Sequence, residues 1–119
     1  MKRFLAVYTG SPASRAKWDQ LDPARRKELE ATGIKAWGGW MAEHRSIISE
    51  QGAPLGKTKR VGPEGISETR NNLVGYVVVQ AESHDAAAKL FEKHPHFTIF
   101  PGEAVEIMEC LPIPGQPQD

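Results

Sequence analysis

The sequence predicts an α+β fold in which helices cover one face of an antiparallel sheet. Three short stretches, residues 4–8, 73–79 and 105–111, are apolar on both faces at once. Successive side chains of a strand point to opposite sides, so a strand with one wet face should alternate apolar and polar residues. The first two stretches barely alternate. Because only two or three helical segments are available to cover them, we expect a second chain to cover the other face of the sheet.

The composition is that of one soluble domain with no preference for nucleic acid or membranes. Fifteen basic residues balance fifteen acidic ones, so we expect neither nucleic acid nor an anionic membrane as a partner. Residues 1–70 nevertheless carry a net charge of +5 and residues 71–119 a net charge of −5. This asymmetry could help halves of two chains to meet, although ordinary scatter of surface charges explains the same numbers.

The first predicted strand is Arg3–Thr9, which a turn at residues 10–12 ends. Its apolar run of about five residues is shorter than the roughly seven to fifteen of a secretory signal, and no segment approaches the roughly 18 apolar residues of a membrane span. Cys110 is the only cysteine, so no intrachain disulfide can form. These observations predict a cytoplasmic protein in which Cys110 packs as a small apolar side chain inside the last strand.

Helical signals follow the first strand. Asp22 and Pro23 supply a capping carboxylate and a proline at the first helical position. Gly33 could separate this helix from a second one, predicted over 34–51 and ended by Gly52. Apolar residues recur there at helical spacing, with Ile34, Trp37, Met41 and Ile48 on one stripe and Trp40, His44 and Ile47 beside it.

The second half of the chain alternates strands and a helix. Thr58–Val61 and Ile66–Arg70 are predicted as short strands around a turn at 62–65. The strand at 73–79 is followed by a helix that begins at the capping residue Ser83 and stops at Pro95, and the last strand runs over 104–111. The inner face of that helix would carry Ala87, Leu90, Phe91 and His94.

The order strand, helix, strand, strand, helix, strand predicts a ferredoxin-like βαββαβ fold. Residues 1–111 form its single domain, and the proline-rich residues 112–119 form an extended or disordered tail. We expect a homodimer in which the sheets of two copies pack face to face.

Two histidines form the sharpest candidate for chemistry. His94 is predicted at a helix C-terminus, where the dipole favours imidazolium, and His96 follows Pro95. As candidate catalytic residues they could act as acid and base, bind an anionic ligand, or supply two nitrogens to a metal ion. A buried, hydrogen-bonded histidine at the end of a helix is the structural alternative. Because no cysteine or carboxylate lies nearby at ligand spacing, we predict no metal site and no cofactor.

The long helix and the central strand supply candidate walls for a small aromatic or acidic ligand. Trp37, Trp40, Met41 and His44 lie on the helix, and Tyr76 lies on the strand. His44 could equally be an amphipathic side chain at the rim of a core.

The loop between the long helix and the central strand is basic and superficially resembles a phosphate-binding loop. Lys57, Lys59, Arg60 and Arg70 could hold a carboxylate or phosphate at the mouth of a pocket, or could simply be solvated charges that protect a sheet edge. The segment 52–58 is one residue short of the P-loop pattern and does not run from a strand into a helix, so nucleotide binding is rejected.

Four segments resemble the YciI-related (YCII) domain proteins. They are GAPLGKTKRV at 52–61, RNNLVGY at 70–76, ESHDAAAK at 82–89 and HPHF at 94–97. The resemblance extends from the first strand to Leu111 and implies a ferredoxin-like monomer in a dimeric α/β barrel. It agrees with the dimer expected from the apolar strands.

The resemblance also implies where a site would lie. Some members of the family are dehydrochlorinases of chlorinated hydroxyquinones, with a histidine–aspartate pair proposed as their active site. Alignment on Gly52, which follows the long helix, puts that histidine at Met41 and the aspartate at His94. Since both residues of the pair are replaced, we do not expect the dehydrochlorinase activity in this chain. The resemblance still implies a pocket between the long helix and the sheet.

Two hypotheses of function follow. The first is a homodimeric small-molecule-binding protein or enzyme, in which the histidines and aromatic side chains converge on a pocket. The second is a non-catalytic dimeric module with a structural or regulatory role, which predicts an interface above roughly 1,200 Å² and no well-formed cavity.

Overall fold

A computed structural model describes residues 1–116, and within this range it confirms the predicted α+β fold. The described strands are β1 (Lys2–Gly10), β2 (Ile48–Pro54), β3 (Thr58–Gly62), β4 (Gly65–Thr69), β5 (Leu73–Ala81) and β6 (Gly102–Glu109). The described helices are α1 (Pro12–Asp19), α2 (Pro23–Glu43), α3 (His84–Lys89) and α4 (Pro95–Thr98), with a 3-10 turn at Arg45–Ile47. None of the helices in residues 1–116 is both long and apolar enough to cross a bilayer.

Four of the strands form the antiparallel sheet of a ferredoxin-like fold. Their order is β2-β5-β1-β6, with β1 in the centre between β5 and β6. The register pairs Phe4 with Val79 and Ala6 with Val77 on one side, and Ala6 with Ile107 on the other. This pairing places every second residue of the central strands on the same face.

Helices cover one face of this sheet and bury the core between them. Phe4, Val77 and Val79 are fully buried there, together with Phe91 from the turn after α3 and Trp40 from α2. Burying a large apolar side chain contributes roughly 1.5–3 kcal/mol, so this face supplies much of the stability of the domain.

The opposite face of the sheet is also apolar, as the lack of alternation predicts. It carries Leu5, Val7 and Val78 in the centre and Met108 on β6. Val7 and Val78 are nearly buried, whereas Met108 is 43% exposed. Cover from a second chain stays a prediction.

The second strand of the fold differs from the prediction. Residues 48–54 form β2, an edge strand, and not the end of a helix over 34–51. The helix α2 runs without a break through Gly33 and ends at Glu43, and Ile34 is 68% exposed. Apolar residues at 47 and 48 continue the helical spacing by chance. The strand β2 pairs irregularly with β5, so its sequence lacks the alternation of apolar and polar residues by which a strand is recognised.

The strands predicted at 58–61 and 66–70 exist as β3 and β4, but they form a separate two-stranded hairpin. The hairpin is therefore an insertion between β2 and β5. The helix α1 was not distinguished in the sequence, although Ser11 caps it by accepting a hydrogen bond from the Ser14 amide at 3.1 Å. Asp22 lies at the start of α2 without a capping hydrogen bond from its side chain.

Three predictions near the C-terminus also need correction. Pro95 begins α4, whereas the preceding helix α3 ends at Lys89, so His94 caps a helix N-terminus and does not end a helix. Cys110 follows the last residue of β6 and is exposed, so it is not packed inside a strand. Residues 114–116 form a turn and a bend, and the remainder of the predicted tail, 117–119, lies outside the described residues.

Candidate functional site

His96 is held by the main chain at the end of β1. Its side chain is 6% exposed, and Nε2 lies 2.7 Å from the carbonyl oxygen of Thr9. A carbonyl can only accept, so Nε2 carries the proton and donates it. Nδ1 has no hydrogen-bond partner among residues 1–116. Every fully buried side-chain nitrogen or oxygen in this range has a partner, so Nδ1 must be in contact with solvent. His96 therefore offers a free, fixed acceptor nitrogen.

His94 lies behind His96 and is almost fully buried. Its Nδ1 accepts a hydrogen bond from the His96 amide at 3.0 Å, so the neutral ring carries its proton on Nε2. That Nε2 lies 3.5 Å from the hydroxyl oxygen of Tyr8, a long and weak hydrogen bond in which Tyr8 accepts. The hydroxyl proton of Tyr8 thus remains available to another acceptor.

Burial keeps all three groups uncharged near neutral pH. Burial, together with smaller contributions from the nearby His96 and His44, lowers the pKa of His94 to about 4. Burial also lowers the pKa of His96, although the hydrogen bond to the Thr9 carbonyl partly offsets this. Burial raises the pKa of Tyr8 well above its usual value of 10. The expectation of an imidazolium at His94 is therefore wrong.

The three groups pack with Trp37 into one aromatic cluster. The ring centroids of Tyr8 and Trp37 are 4.8 Å apart, and those of Tyr8 and His96 are 5.1 Å apart. Trp37 meets His94 edge-on at 4.6 Å. These are the tilted and T-shaped arrangements that aromatic rings prefer, so the cluster has a fixed geometry.

A cavity of about 240 Å³, here called the aromatic cavity, opens beside this cluster. Side chains of Tyr8, Trp37, Met41 and His96 line it, together with residues 51–54 and 74–76 of β2 and β5. Two glycines in its wall allow close packing of the strands and of Tyr8. A Cβ at Gly75 would lie 3.3 Å from Cδ2 of Tyr8, and a Cβ at Gly52, whose φ is 74°, would collide with the carbonyl of Tyr76.

A second cavity of about 500 Å³, here called the arginine cavity, adjoins the first at the end of the sheet. His96 and Val74 line both cavities. Arg15 and Arg70 contribute positive charge to the second, and Gly102 leaves room for His96, because a Cβ there would collide with Nε2 and the carbonyl oxygen of that histidine. The remaining lining residues include Ser11, Asn71, Asn72 and Phe100.

The structure brings together some of the residues predicted from the sequence. Trp37, Met41 and His96 line the aromatic cavity, and His94 lies directly behind it. Trp40 is instead a core residue whose Nε1 donates to the carbonyl of Leu90 at 2.9 Å.

Two other predicted residues lie apart from these. His44 packs on Trp40 with ring centroids 4.7 Å apart and lines neither cavity. Tyr76 borders the aromatic cavity, but strand alternation directs its side chain to the opposite face, where its interaction with Glu50 raises the pKa of the tyrosine.

Sequence reasoning missed Tyr8 and Arg15. A signal for Tyr8 exists, since it is a polar aromatic residue that ends the helix-facing row of β1 opposite Gly75. Among the basic residues of the loop, Lys59 pairs with Glu68 at 2.9 Å on the exposed hairpin, whereas Arg70 reaches the arginine cavity. No group of three His, Cys, Asp or Glu side chains within residues 1–116 is arranged to hold a metal ion.

Comparison with known proteins supports the fold. No protein-family model and no curated protein matches this chain. Among solved structures, the chain is similar to a 5-chloro-2-hydroxyhydroquinone dehydrochlorinase (TftG) from Burkholderia phenoliruptrix AC1100, described in complex with 2,5-dihydroxybenzoquinone. The TM-score is 0.52 at 16% sequence identity, over 89% of this chain and 90% of the other. At this identity the likeness concerns the fold alone, and it supports the α+β fold described above.

Proposed function

We propose that this chain is a homodimeric, YCII-related protein that binds a small molecule with a flat ring between the long helix and the sheet. His96 serves as proton acceptor for that ligand. One observation carries the proposal: His96 is neutral, fixed through Nε2, and presents a free Nδ1 beside a cavity walled by Tyr8 and Trp37.

The chemistry of this arrangement is a proton transfer. An acidic hydroxyl on the bound ring would give its proton to Nδ1 of His96, leaving an imidazolium and a ligand oxyanion. The Thr9 carbonyl stabilises the imidazolium by accepting from Nε2, and the Tyr8 hydroxyl, which stays protonated, can donate to an oxygen of the ligand. A positioned acid or base of this kind typically contributes 10²–10⁴-fold to a reaction rate.

The comparison adds a candidate for the ligand class. A protein of similar fold is described in complex with 2,5-dihydroxybenzoquinone, a flat ring with two acidic hydroxyls. Such a ring suits an aromatic wall and a neutral histidine. Dehydrochlorination is not proposed, because Met41 and His94 occupy the positions that correspond to the histidine–aspartate pair.

The dimer is supported by the second apolar face of the sheet. Leu5, Val7, Val78 and Met108 lie there, on the side opposite the helix-covered core. Val7 and Val78 are already buried within one chain, and packing of two such faces would also bury Leu5 and Met108, as in sheet-on-sheet packing with a separation of about 10 Å. The candidate site lies on the helix side and remains accessible in such a dimer.

Thermal shift and tryptophan fluorescence titrations with 2,5-dihydroxybenzoquinone, hydroquinone and benzoquinone test the proposal. We expect 2,5-dihydroxybenzoquinone to stabilise the protein and to quench Trp37, because a ligand that binds only the native state raises its stability. His96→Gln should weaken binding at least tenfold. His84→Gln is the matched control, since His84 is an exposed histidine that lines neither cavity.

Equal binding by His96→Gln and the parent chain would refute the role of His96. Failure of every ring compound to bind would refute the aromatic site and favour the alternative of a non-catalytic dimeric module.

A further inference from the structure

We infer that the arginine cavity is a carboxylate subsite, so that the ligand of this protein is an aromatic acid: a ring in the aromatic cavity that carries a carboxylate between Arg15 and Arg70. The inference deepens the proposed function and depends on it for the position of the ring. It adds two residues, Arg15 and Arg70, and the charge of the ligand.

The first argument is the local charge. The chain is neutral overall, yet among the described residues 1–116 two arginines and no acidic side chain line the arginine cavity. His96, which also lines it, is neutral because burial lowers its pKa. The cavity therefore has a net positive charge that an anionic group would compensate, and a concave site strengthens such an effect.

The second argument is that both guanidinium groups have donors to spare. Arg70 makes no ion pair within residues 1–116. Arg15 contacts Asp19 only through Nε, at 3.4 Å, and both side chains are more than half exposed. An exposed pair of this kind contributes little, whereas the planar fork of arginine matches a carboxylate in two parallel hydrogen bonds.

The third argument is that the segment carrying Arg70 is tied to the sheet. The side-chain oxygen of Asn71 accepts from the Leu73 amide at 3.0 Å. The carbonyl of Asn72 accepts from the Gly10 amide at 2.9 Å, which fixes the segment against the end of β1. Arg70 thus starts from a defined backbone position at the rim of the cavity that His96 also lines, which lowers the entropic cost of engaging a ligand.

The fourth argument is size and continuity. The aromatic cavity holds about 240 Å³, which is below the roughly 300–1,000 Å³ typical of ligand pockets. The arginine cavity adds about 500 Å³ and meets the first at His96 and Val74. A ring in the first cavity would point its substituent past His96 into the second.

Paired ligands that differ in charge test this inference. Binding of hydroquinone would be compared by calorimetry with 2,5-dihydroxybenzoate, 2,5-dihydroxyphenylacetate and 3-(2,5-dihydroxyphenyl)propanoate, which carry the carboxylate at increasing reach. We expect at least one acid to bind ten or more times more tightly than hydroquinone. The advantage should shrink when the salt concentration is raised from 50 to 500 mM, because added ions screen the arginines.

Charge-neutralising variants locate the effect. Arg15→Gln combined with Arg70→Gln should abolish the advantage of the acid over hydroquinone. Arg60→Gln is the matched control, since Arg60 is an exposed arginine of the hairpin that lines neither cavity. Equal affinity for acids and hydroquinone in the parent chain would overturn the inference, and so would an acid advantage that survives the double variant.

Failure of the proposed ring site is distinguishable from failure of the subsite. If no ring compound binds, phosphate is titrated to about 50 mM while the Nε–H signals of the arginines are followed by NMR. Shifts at Arg15 and Arg70, but not at Arg60, would support an anion subsite without the ring site. No shift at either arginine would overturn it.

Discussion

Replacement of Gly102 by alanine should displace His96 and weaken the fold. Gly102 begins β6 and faces His96, and an alanine Cβ there would collide with both Nε2 and the carbonyl oxygen of His96. Rotation of the imidazole relieves only the first of these collisions. The backbone of α4 must therefore move as well, and the hydrogen bond from His96 to Thr9 would break.

The magnitude follows from three contributions. Loss of one hydrogen bond costs about 0.5–1.5 kcal/mol. Overpacking of a filled site costs about 1–3 kcal/mol, and the lower backbone entropy of alanine in the unfolded chain returns about 0.4–1 kcal/mol. We therefore expect Gly102→Ala to lower the free energy of unfolding by about 0.5–4 kcal/mol, which a domain with a stability of about 5–15 kcal/mol survives.

Urea unfolding and histidine NMR measure the two effects. The unfolding midpoint should fall, and the pKa of His96 should rise toward its usual value of 6.5, because burial is the main cause of its lowering. Gly39→Ala is the matched control. Apart from its neighbours along α2, no atom of residues 1–116 lies within 4 Å of its Cβ position, so the substitution should stabilise the chain by about 0.5–1 kcal/mol.

The outcome that refutes this reasoning is specific. If Gly102→Ala unfolds at the parent urea concentration and its His96 keeps a lowered pKa, then His96 does not depend on the space at Gly102, and its fixed orientation loses its physical basis.

Two further predictions concern the buried histidines and the open sheet face. The pKa of His94 is about 4 and that of His96 is below 6.5 in the folded protein, so between pH 4 and 6.5 the unfolded state binds more protons than the folded state. The free energy of unfolding should therefore be level above pH 7 and fall from about pH 6.5 toward pH 4. Urea midpoints across this range should fall less steeply for His94→Asn, and an equally steep fall would contradict the assignment. Met108→Glu should convert a particle of twice the 13.1 kDa chain mass into a monomer in light scattering, whereas Ile34→Glu on the exposed side of α2 should not. A dimer that tolerates Met108→Glu would mean that another surface holds the copies together.

The central strands and the fold class could be predicted from the sequence because a short run of consecutive apolar residues fits few structures other than a strand buried on both faces. β2 could not, since its residues Ile48–Pro54 are polar at three positions and gain strand structure only by pairing with β5. The same absence of local signal made the hairpin look like part of the main sheet.

The site was predicted in part for a similar reason. Pro95 is compatible with the end of one helix and with the first position of the next, and only the full structure decides between them. Burial then removes the positive charge that a helix C-terminus would have favoured at His94. Tyr8 and Arg15 are distant in sequence from the histidines, so no spacing along the chain could connect them to the site.

The hydrogen bond from His96 to the Thr9 carbonyl limits how weak an acid His96 can deprotonate. Many histidine bases are hydrogen-bonded to a carboxylate that raises their proton affinity, but His96 donates its hydrogen bond to an uncharged peptide oxygen. With its pKa lowered, His96 can remove a proton only from a donor about as acidic as itself. An ordinary phenol, with a pKa near 10 like that of tyrosine, would stay protonated in the cavity, whereas a hydroxyl conjugated to a quinone would not. Selection among similar rings would then rest on their electronics as much as on their shape.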